Sequence, residues 1–409
     1  MNLLFAWRYF RAKKSTNAIN IIAWVSMAAI VVGAASLILV LSVFNGFEDL
    51  VKSLYTSFYP DLKITAAMGK TLTLTPEQLR QMSGTNGVRA YSLVAEDKAY
   101  LMNGDSGSNV SPYLKGVDAN YTKVSGVSDK IVRGSFDLGT DEHPLAVLGS
   151  GIAYQLGVET DRALVPLSVY VFRKGGPDYT ADPLSSVSNE GLPTSGEFRI
   201  QQDFDNNYVI TNLAFVKRMM GLKADEYSAV ELSLDDPAQG PLVKSLLQKL
   251  FGKDYRLQTR YEQNQNLYTV MGTEKWVIYI VLTLILVVAA FNMVGALTML
   301  VWEKQKDIHV LKALGASNGL IRKIFLSEGV LLGMMGGVGG MGLAAIICLL
   351  QIRYKLVPLV GGSFLIDYYP VKLVATDFLL VLSTILVVAL LASWIPARKA
   401  AAQPIELKS

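Results

Sequence analysis

The chain has 409 residues, of which 51% are hydrophobic and 18% charged, with a net charge of +4. A soluble domain carries about a quarter charged residues, so the deficit implies a membrane protein with a soluble portion. The charge is too small to argue for nucleic acid, a lone Cys348 excludes an intrachain disulfide framework and a cysteine metal site, and His143 with His309 do not make a histidine-rich one.

Residues 1–18 read as a basic amphipathic helix with Leu4, Trp7, Arg8 and Arg11, whose aromatics Phe5, Trp7, Tyr9 and Phe10 suit headgroup depth. A plain positive flank to the next segment is a compatible reading. Residues 19–44 form the first apolar run long enough to cross a bilayer, which takes about 20 residues. Gly33 and Ala35 give a small-x-small cleavage pattern before Ser36. However, the apolar character continues through LILVLSVF, beyond the length of a signal-peptide core, so the run is predicted to stay as a span.

Residues 45–275 have mixed composition and predict an α+β domain, with length for two subdomains. FEDLVKSLYTSFYPDLKI predicts a helix continuing outward, a break at Pro60, then a strand. SLVAEDKAYLM, HPLAVLGSGIA, ALVPLSVYVFR, EFRIQQDF, NNYVITN and YRLQT carry strand signals. TPEQLRQM, with Thr75 as cap, LAFVKRMMGL and DPAQGPLVKSLLQKLFG predict helices. YEQNQNLYTVMGTEKW predicts a long helix entering the second apolar run. MGKT at residues 68–71 resembles the end of a phosphate-binding loop, but the pattern needs glycine where Ile64 stands. The polar segment 175–196, GGPDYTADPLSSVSNEGLPTSG, predicts a long loop or flexible hairpin, either plain surface or an arm for a partner.

Three further runs, 276–301, 326–350 and 374–396, complete four predicted spans. Arg8, Arg11, Lys13 and Lys14 before the first, Lys304, Lys306, Lys312, Arg322 and Lys323 between the second and third, and Arg398, Lys399 and Lys408 after the fourth mark the cytoplasmic side. Arg353 and Lys355 after the third run against that bias. Both termini are then cytoplasmic and the large domain faces outward. In the third run Gly329, Gly333 and Gly337 fall four apart, as do Gly336 and Gly340. Small residues at that spacing let helix backbones approach, and a flexible bend is the alternative use.

The span centres contain no Asp, Glu, Lys or Arg, which argues against an ion-coupled transporter. Asn20 and Asn292 suit helix–helix hydrogen bonds. His143 and His309 fall on opposite sides of the membrane, so no Ser-His-Asp set forms. The segment 301–317, VWEKQKDIHVLKALGAS, predicts a short amphipathic helix between two spans, with Ile308, Leu311 and Leu314 at helical spacing and Gly315 as its stop. That row is expected to protrude and dock into a groove of a separate ATPase. The alternative is a helix lying on lipid, with Lys304, Lys306 and Lys312 toward headgroups.

SVFNGFE at 42–48, AAFNMVGALTMLVWEKQKDIHVLKALGAS at 289–317 and PARKAAAQPIELK at 396–408 resemble, in order, segments of the lipoprotein-releasing permeases of the LolC and LolE type. The four-span layout is also similar to the wider FtsX-like and MacB-like permeases. The resemblance implies the type VII permease architecture and no catalysis in this chain, with ATP and Mg bound by a separate cytoplasmic ATPase. It implies a second permease, identical or paralogous, a periplasmic carrier, a lipoprotein cargo drawn from the outer leaflet of a bacterial inner membrane, and no passage across it. Carried onto this sequence, the ATPase-coupling residues are Glu303, Lys304, Lys306, Asp307, Ile308, Leu311, Leu314 and Gly315. Candidate acyl-chain contacts are Val40, Val43, Phe44, Phe47, Val277 and Ile280. A MacB-like efflux permease and an FtsX-like activator of a cell-wall hydrolase are the rival readings.

Overall fold

The structure is a computed structural model and describes residues 17–159, 166–174, 186–359 and 366–403, without the side chains of residues 17–20 and 23. Residues 1–16 of the predicted N-terminal helix and 175–185 of the predicted loop lie outside the described residues. The chain forms two compact units: Met1–Leu50, Thr269–Leu359 and Tyr368–Ser409 make one, Val51–Tyr268 and Val360–Asp367 the other.

The helices that build the first unit are α1 (Asn17–Phe58), α2 (Gln265–Glu303), the nine-residue α3 (Gln305–Ala313), α4 (Asn318–Tyr354) and α5 (Ala375–Ala401). All but α3 are long and apolar enough to cross a membrane. Each outruns its predicted apolar stretch, because hydropathy ends where lipid would end and a helix ends where its backbone is capped. Thus α1 runs to Phe58, two residues short of Pro60, which has no N–H to give and disfavours helix in the residue before it. Ser317 caps α4 by accepting from the backbone N–H of Leu320. The predicted long helix before the second span is interrupted at Asn264. A turn at Arg260–Gln263 is started by a capping box between Thr259 and Glu262, and α2 begins after it.

The two glycine series of α4 serve two neighbours. A methyl group on Gly329, Gly333 or Gly337 would run into Ser393, Ala389 or Ile385 of α5. One on Gly336 or Gly340 would run into Ile30 or the Val31 carbonyl of α1, the latter at 2.3 Å. So α4 is a spine that brings two helices to backbone distance. On α1, Ser26 donates to the Asn292 carbonyl of α2 at 3.0 Å, and the hydroxyls of Tyr279 and Thr384 bond α2 to α5. The apolar centre gathers Leu37, Ile38 and Leu41 of α1, Leu286, Met293 and Leu297 of α2, and Val381 and Ile385 of α5.

The second unit holds β1 (Leu62–Ala66), β2 (Leu72–Thr73), β3 (Val88–Met102), β4 (Asn109–Val110), β5 (Tyr113–Val117), β6 (Ile131–Gly134), β7 (Ala146–Gly149), β8 (Leu167–Phe172), β9 (Val187–Leu192), β10 (Thr194–Phe198), β11 (Tyr208–Asn212), β12 (Glu226–Tyr227), β13 (Ala229–Leu234) and β14 (Tyr255–Thr259). One sheet runs β14-β1-β13-β3-β5-β11-β7-β10-β6, with β4 and β8 beside the end of β3 and β9 beyond β8. The pairs β10–β7 and β11–β5 are parallel, while β1–β13, β1–β14 and β13–β3 are antiparallel. The 15-residue β3 belongs to two apolar cores. Its first half pairs with β13, whose Val230 and Leu232 pack with Leu62, Ile64, Val243 and Leu247. Its second half supplies Ala95, Ala99 and Leu101 to a core with Leu148, Ile152, Val169 and Phe215.

Two predicted strands need correction. HPLAVLGSGIA is strand only through Gly149. Ser150–Leu156 is a helix, ended by Gly157 in the left-handed region. EFRIQQDF leaves the sheet after Phe198, and a turn of helix at Gln202–Asp205 follows, with the Asp205 carboxylate accepting from the backbone N–H of Ile200. ALVPLSVYVFR is strand over Leu167–Phe172, as predicted, and its first three residues, 163–165, lie outside the described residues. In its described part the polar segment 175–196 follows the hairpin reading. Val187–Leu192 pairs residue for residue with β8, from Phe172↔Val187 to Leu167↔Leu192. Backbone pairing makes a strand there regardless of the polar side chains.

Candidate functional site

At one end of the first unit, α3 is joined to α2 through Lys304, the one residue between the two helices. The turn Leu314–Ser317 leads into α4, with Gly315 at φ +90° where a side chain would be strained. Lys304 and Asp307 form an i,i+3 ion pair at 3.3 Å. The predicted apolar row does not protrude as a whole. Ile308 is 1% exposed and packs with Val301, Ile321, Phe325, Ala397 and Ala400, and Leu311 packs against the same cluster. These two side chains hold α3 onto the feet of α4 and α5 and are not free to enter a partner's groove. The outward stripe is Lys306, Val310 and Leu314, four residues apart, with Leu314 81% exposed.

Lys312 corrects the headgroup expectation. Its ammonium donates to the Ala401 carbonyl at 2.9 Å and the Gln403 carbonyl at 2.6 Å. The carbonyls at a helix C-terminus have no intrahelical partner and carry partial negative charge, so a lysine is well suited to them. Hence α3 is fastened to the end of α5 by a polar joint as well as an apolar one. Glu303 is half-buried and Lys306 exposed.

At the other end, the NGFE run has a structural use that its sequence did not disclose. The Asn45 amide donates to the Asp377 carboxylate at 2.6 Å and its oxygen accepts from the Lys275 ammonium at 2.8 Å. Lys275 is 3.4 Å from the same carboxylate. This clasp joins α1, α2 and α5, and Asn45 and Asp377 are both buried. A methyl on Gly46 would lie 2.3 Å from the Pro370 carbonyl, so only glycine lets that segment pass. Lys372 then bonds the Ser42 carbonyl through its backbone N–H and Asp49 through its side chain.

The predicted acyl contacts do not converge. Val40, Val277 and Ile280 are exposed on the helix surfaces, while Phe47 packs edge-on against Tyr369 at 5.9 Å. Phe44 is half-buried. Val43 lines an apolar groove against α4, to which α2 contributes no residue.

In the second unit, a cleft of about 690 Å³ is lined by Tyr55, Tyr59, Tyr113, Tyr208 and Arg256. Burial, then the charge of Glu96, pushes the Tyr208 phenol far above its ordinary value. Deeper in, Lys115 pairs with Glu231 at 2.8 Å. Burial acts to lower this ammonium, and Glu231, Tyr121 and Glu96 together more than reverse it, so the amine stays charged. Among the described residues, no three of His, Cys, Asp and Glu come together as a metal site.

The profile of the FtsX-like permease C-terminal region matches residues 279–405, and that of the MacB-like periplasmic core domain matches residues 23–167. The lipoprotein-releasing system transmembrane protein LolE of Haemophilus influenzae is 28% identical, covering 99% of this chain and 98% of that one. LolC of Neisseria meningitidis is also 28% identical, over 98% of each. The periplasmic region of MacB from Actinobacillus actinomycetemcomitans aligns in structure at a TM-score of 0.35 and 12% identity, over 54% of this chain and 98% of that one. Such a score carries no weight beside the sequence matches. The chain thus resembles, from end to end, the LolC and LolE transmembrane proteins of lipoprotein-releasing systems, and its two matched regions are similar to an FtsX-like permease C-terminal region and a MacB-like periplasmic core domain.

Proposed function

We propose that this chain is the membrane subunit of an ATP-driven complex that lifts lipoproteins out of the outer leaflet of a bacterial inner membrane and passes them to a soluble periplasmic carrier. The similarity to LolC and LolE along the whole chain carries this reading. In it the second unit is periplasmic, both termini are cytoplasmic, and a second permease copy or paralogue completes the membrane part. ATP and Mg are bound by a cytoplasmic ATPase that grips the Lys306–Val310–Leu314 stripe of α3, and this chain carries no cofactor. The physics calls for a motor, since each acyl CH₂ moved from lipid to water costs about 0.8 kcal/mol. The polar joint at Lys312 gives the push on α3 a route into α5.

The test is depletion of the protein followed by separation of inner and outer membranes. Abundant outer-membrane lipoproteins should accumulate in the inner membrane while integral outer-membrane proteins sort normally. Normal lipoprotein sorting in cells without a paralogue would overturn the reading.

A further inference from the structure

The groove beside Val43 lies between α1 and the last turns of α4, is completed by Leu356, Val357, Tyr369 and Val371, and encloses about 440 Å³. Its walls are almost wholly apolar: Leu39, Val43, Ile347, Leu350 and Leu356, with Cys348 at the base. Gln351 fixes its roof. The side-chain amide donates to the Val357 and Tyr369 carbonyls, and its oxygen accepts from the Val357 N–H at 2.9 Å. The groove is therefore a built feature of the unit, and one of its lining residues, Tyr369, is exposed, a residue type suited to the headgroup layer.

Between the lining residues Gln351 and Leu356 the chain carries Arg353 and Lys355, the two cations that run against the charge bias of the other flanks. Arg353 stands one turn beyond Leu350 and is exposed. Among the described residues neither has a carboxylate at ion-pair distance; the Lys355 ammonium lies over the Tyr368 ring at 4.1 Å. Lys355 also caps α4 in the left-handed region, at φ +51°, and is the only non-glycine among the described residues with positive φ. Glycine is the ordinary residue there, and lysine costs conformational strain that glycine would avoid. Lys355 is thus a cation at a position that glycine would fill more easily, next in the chain to a residue that lines the apolar groove.

We infer that this groove binds one phospholipid with an anionic headgroup, an acyl chain lying along α1 and α4 and the phosphate held by Arg353 and Lys355. The groove shares Val43 with the predicted acyl-chain contacts of the cargo but takes no residue from α2, and it stands whether or not the cargo is a lipoprotein.

The experiment uses the full-length chain with its native partners, exchanged into nanodiscs of equal phosphatidylglycerol and phosphatidylcholine, then ejected for native mass spectrometry. The expected result is one retained phosphatidylglycerol per chain. Arg353→Gln with Lys355→Gly should reduce the phosphatidylglycerol preference about tenfold while the thermal midpoint stays level or rises, because glycine relieves the strained cap. A merely structural lysine would give the rise without the lipid change. Val43→Trp, which fills the groove, should remove the retained lipid of either kind. Equal retention of the two lipids, or a preference that survives the double substitution, would overturn the anionic site. So would displacement by a triacylated peptide at equimolar amount, which would assign the groove to the cargo.

Discussion

Asn45 stands between a cation and an anion and bonds both, 2.8 Å from Lys275 and 2.6 Å from Asp377. A neutral amide is suited to this place because it donates on one side and accepts on the other. Aspartate would set two carboxylates together, and alanine would leave a buried charge with fewer partners. Asn45→Ala should lower the stability of the full-length chain in detergent by about 1–3 kcal/mol, the scale of a buried polar group left unsatisfied. Thermal unfolding reads it directly, and an unchanged midpoint would mean that Lys275 and Asp377 hold the clasp alone.

Among the elements, α4 offers an internal control. A methyl added to Gly340 would lie 2.3 Å from the Val31 carbonyl, whereas one added to Gly342, two residues on, has nothing within 4 Å. Gly342→Ala should be neutral or stabilising by up to about 1 kcal/mol, since alanine is the better helix former. Gly340→Ala should separate α4 from α1 and destabilise by about 1–3 kcal/mol, the cost of overpacking. Equal effects of the two would refute the close approach. The short helix α3 divides in the same way. Leu314→Asp should leave the chain folded and reduce co-purification of the ATPase, because that side chain is 81% exposed. Ile308→Asp should disrupt the foot of α4 and α5 itself, since it buries a charge with no partner. Trypsin sensitivity of the membrane fraction separates the two, and a folded Ile308→Asp chain that merely loses the ATPase would return Ile308 to the docking surface.

Over the whole molecule, what the sequence disclosed was local or periodic. Thr75 and Gln78 form the capping box their spacing announces, and the two glycine series were visible as fours. Which helix each series meets was not visible, because α1 and α5 lie hundreds of residues apart along the chain. The same limit hid the clasp, since Asn45 and Asp377 are 332 residues apart and each alone reads as a flank. Ile308 was legible as apolar but not as inward. Its direction is decided by Ala397 and Ala400 in α5, and a 3.6-residue period gives a face without saying what covers it. β9 was legible only as one arm of a loop or hairpin, because its partner β8 supplies what its own composition lacks.

The glycine ladder of α4 has a consequence for how many parts can move. Backbones in contact along several turns cannot slide without driving alanine, serine and isoleucine side chains through main chain, and packed interfaces switch between discrete fits instead of deforming. The α4 and α5 pair, fastened below to α3 by Ile308 and Lys312, therefore counts as one rigid body. Four spans then carry fewer independent coordinates than their number, and most of the freedom left to the bundle belongs to α2, whose long surface from Val277 to Phe291 is the least covered by its neighbours.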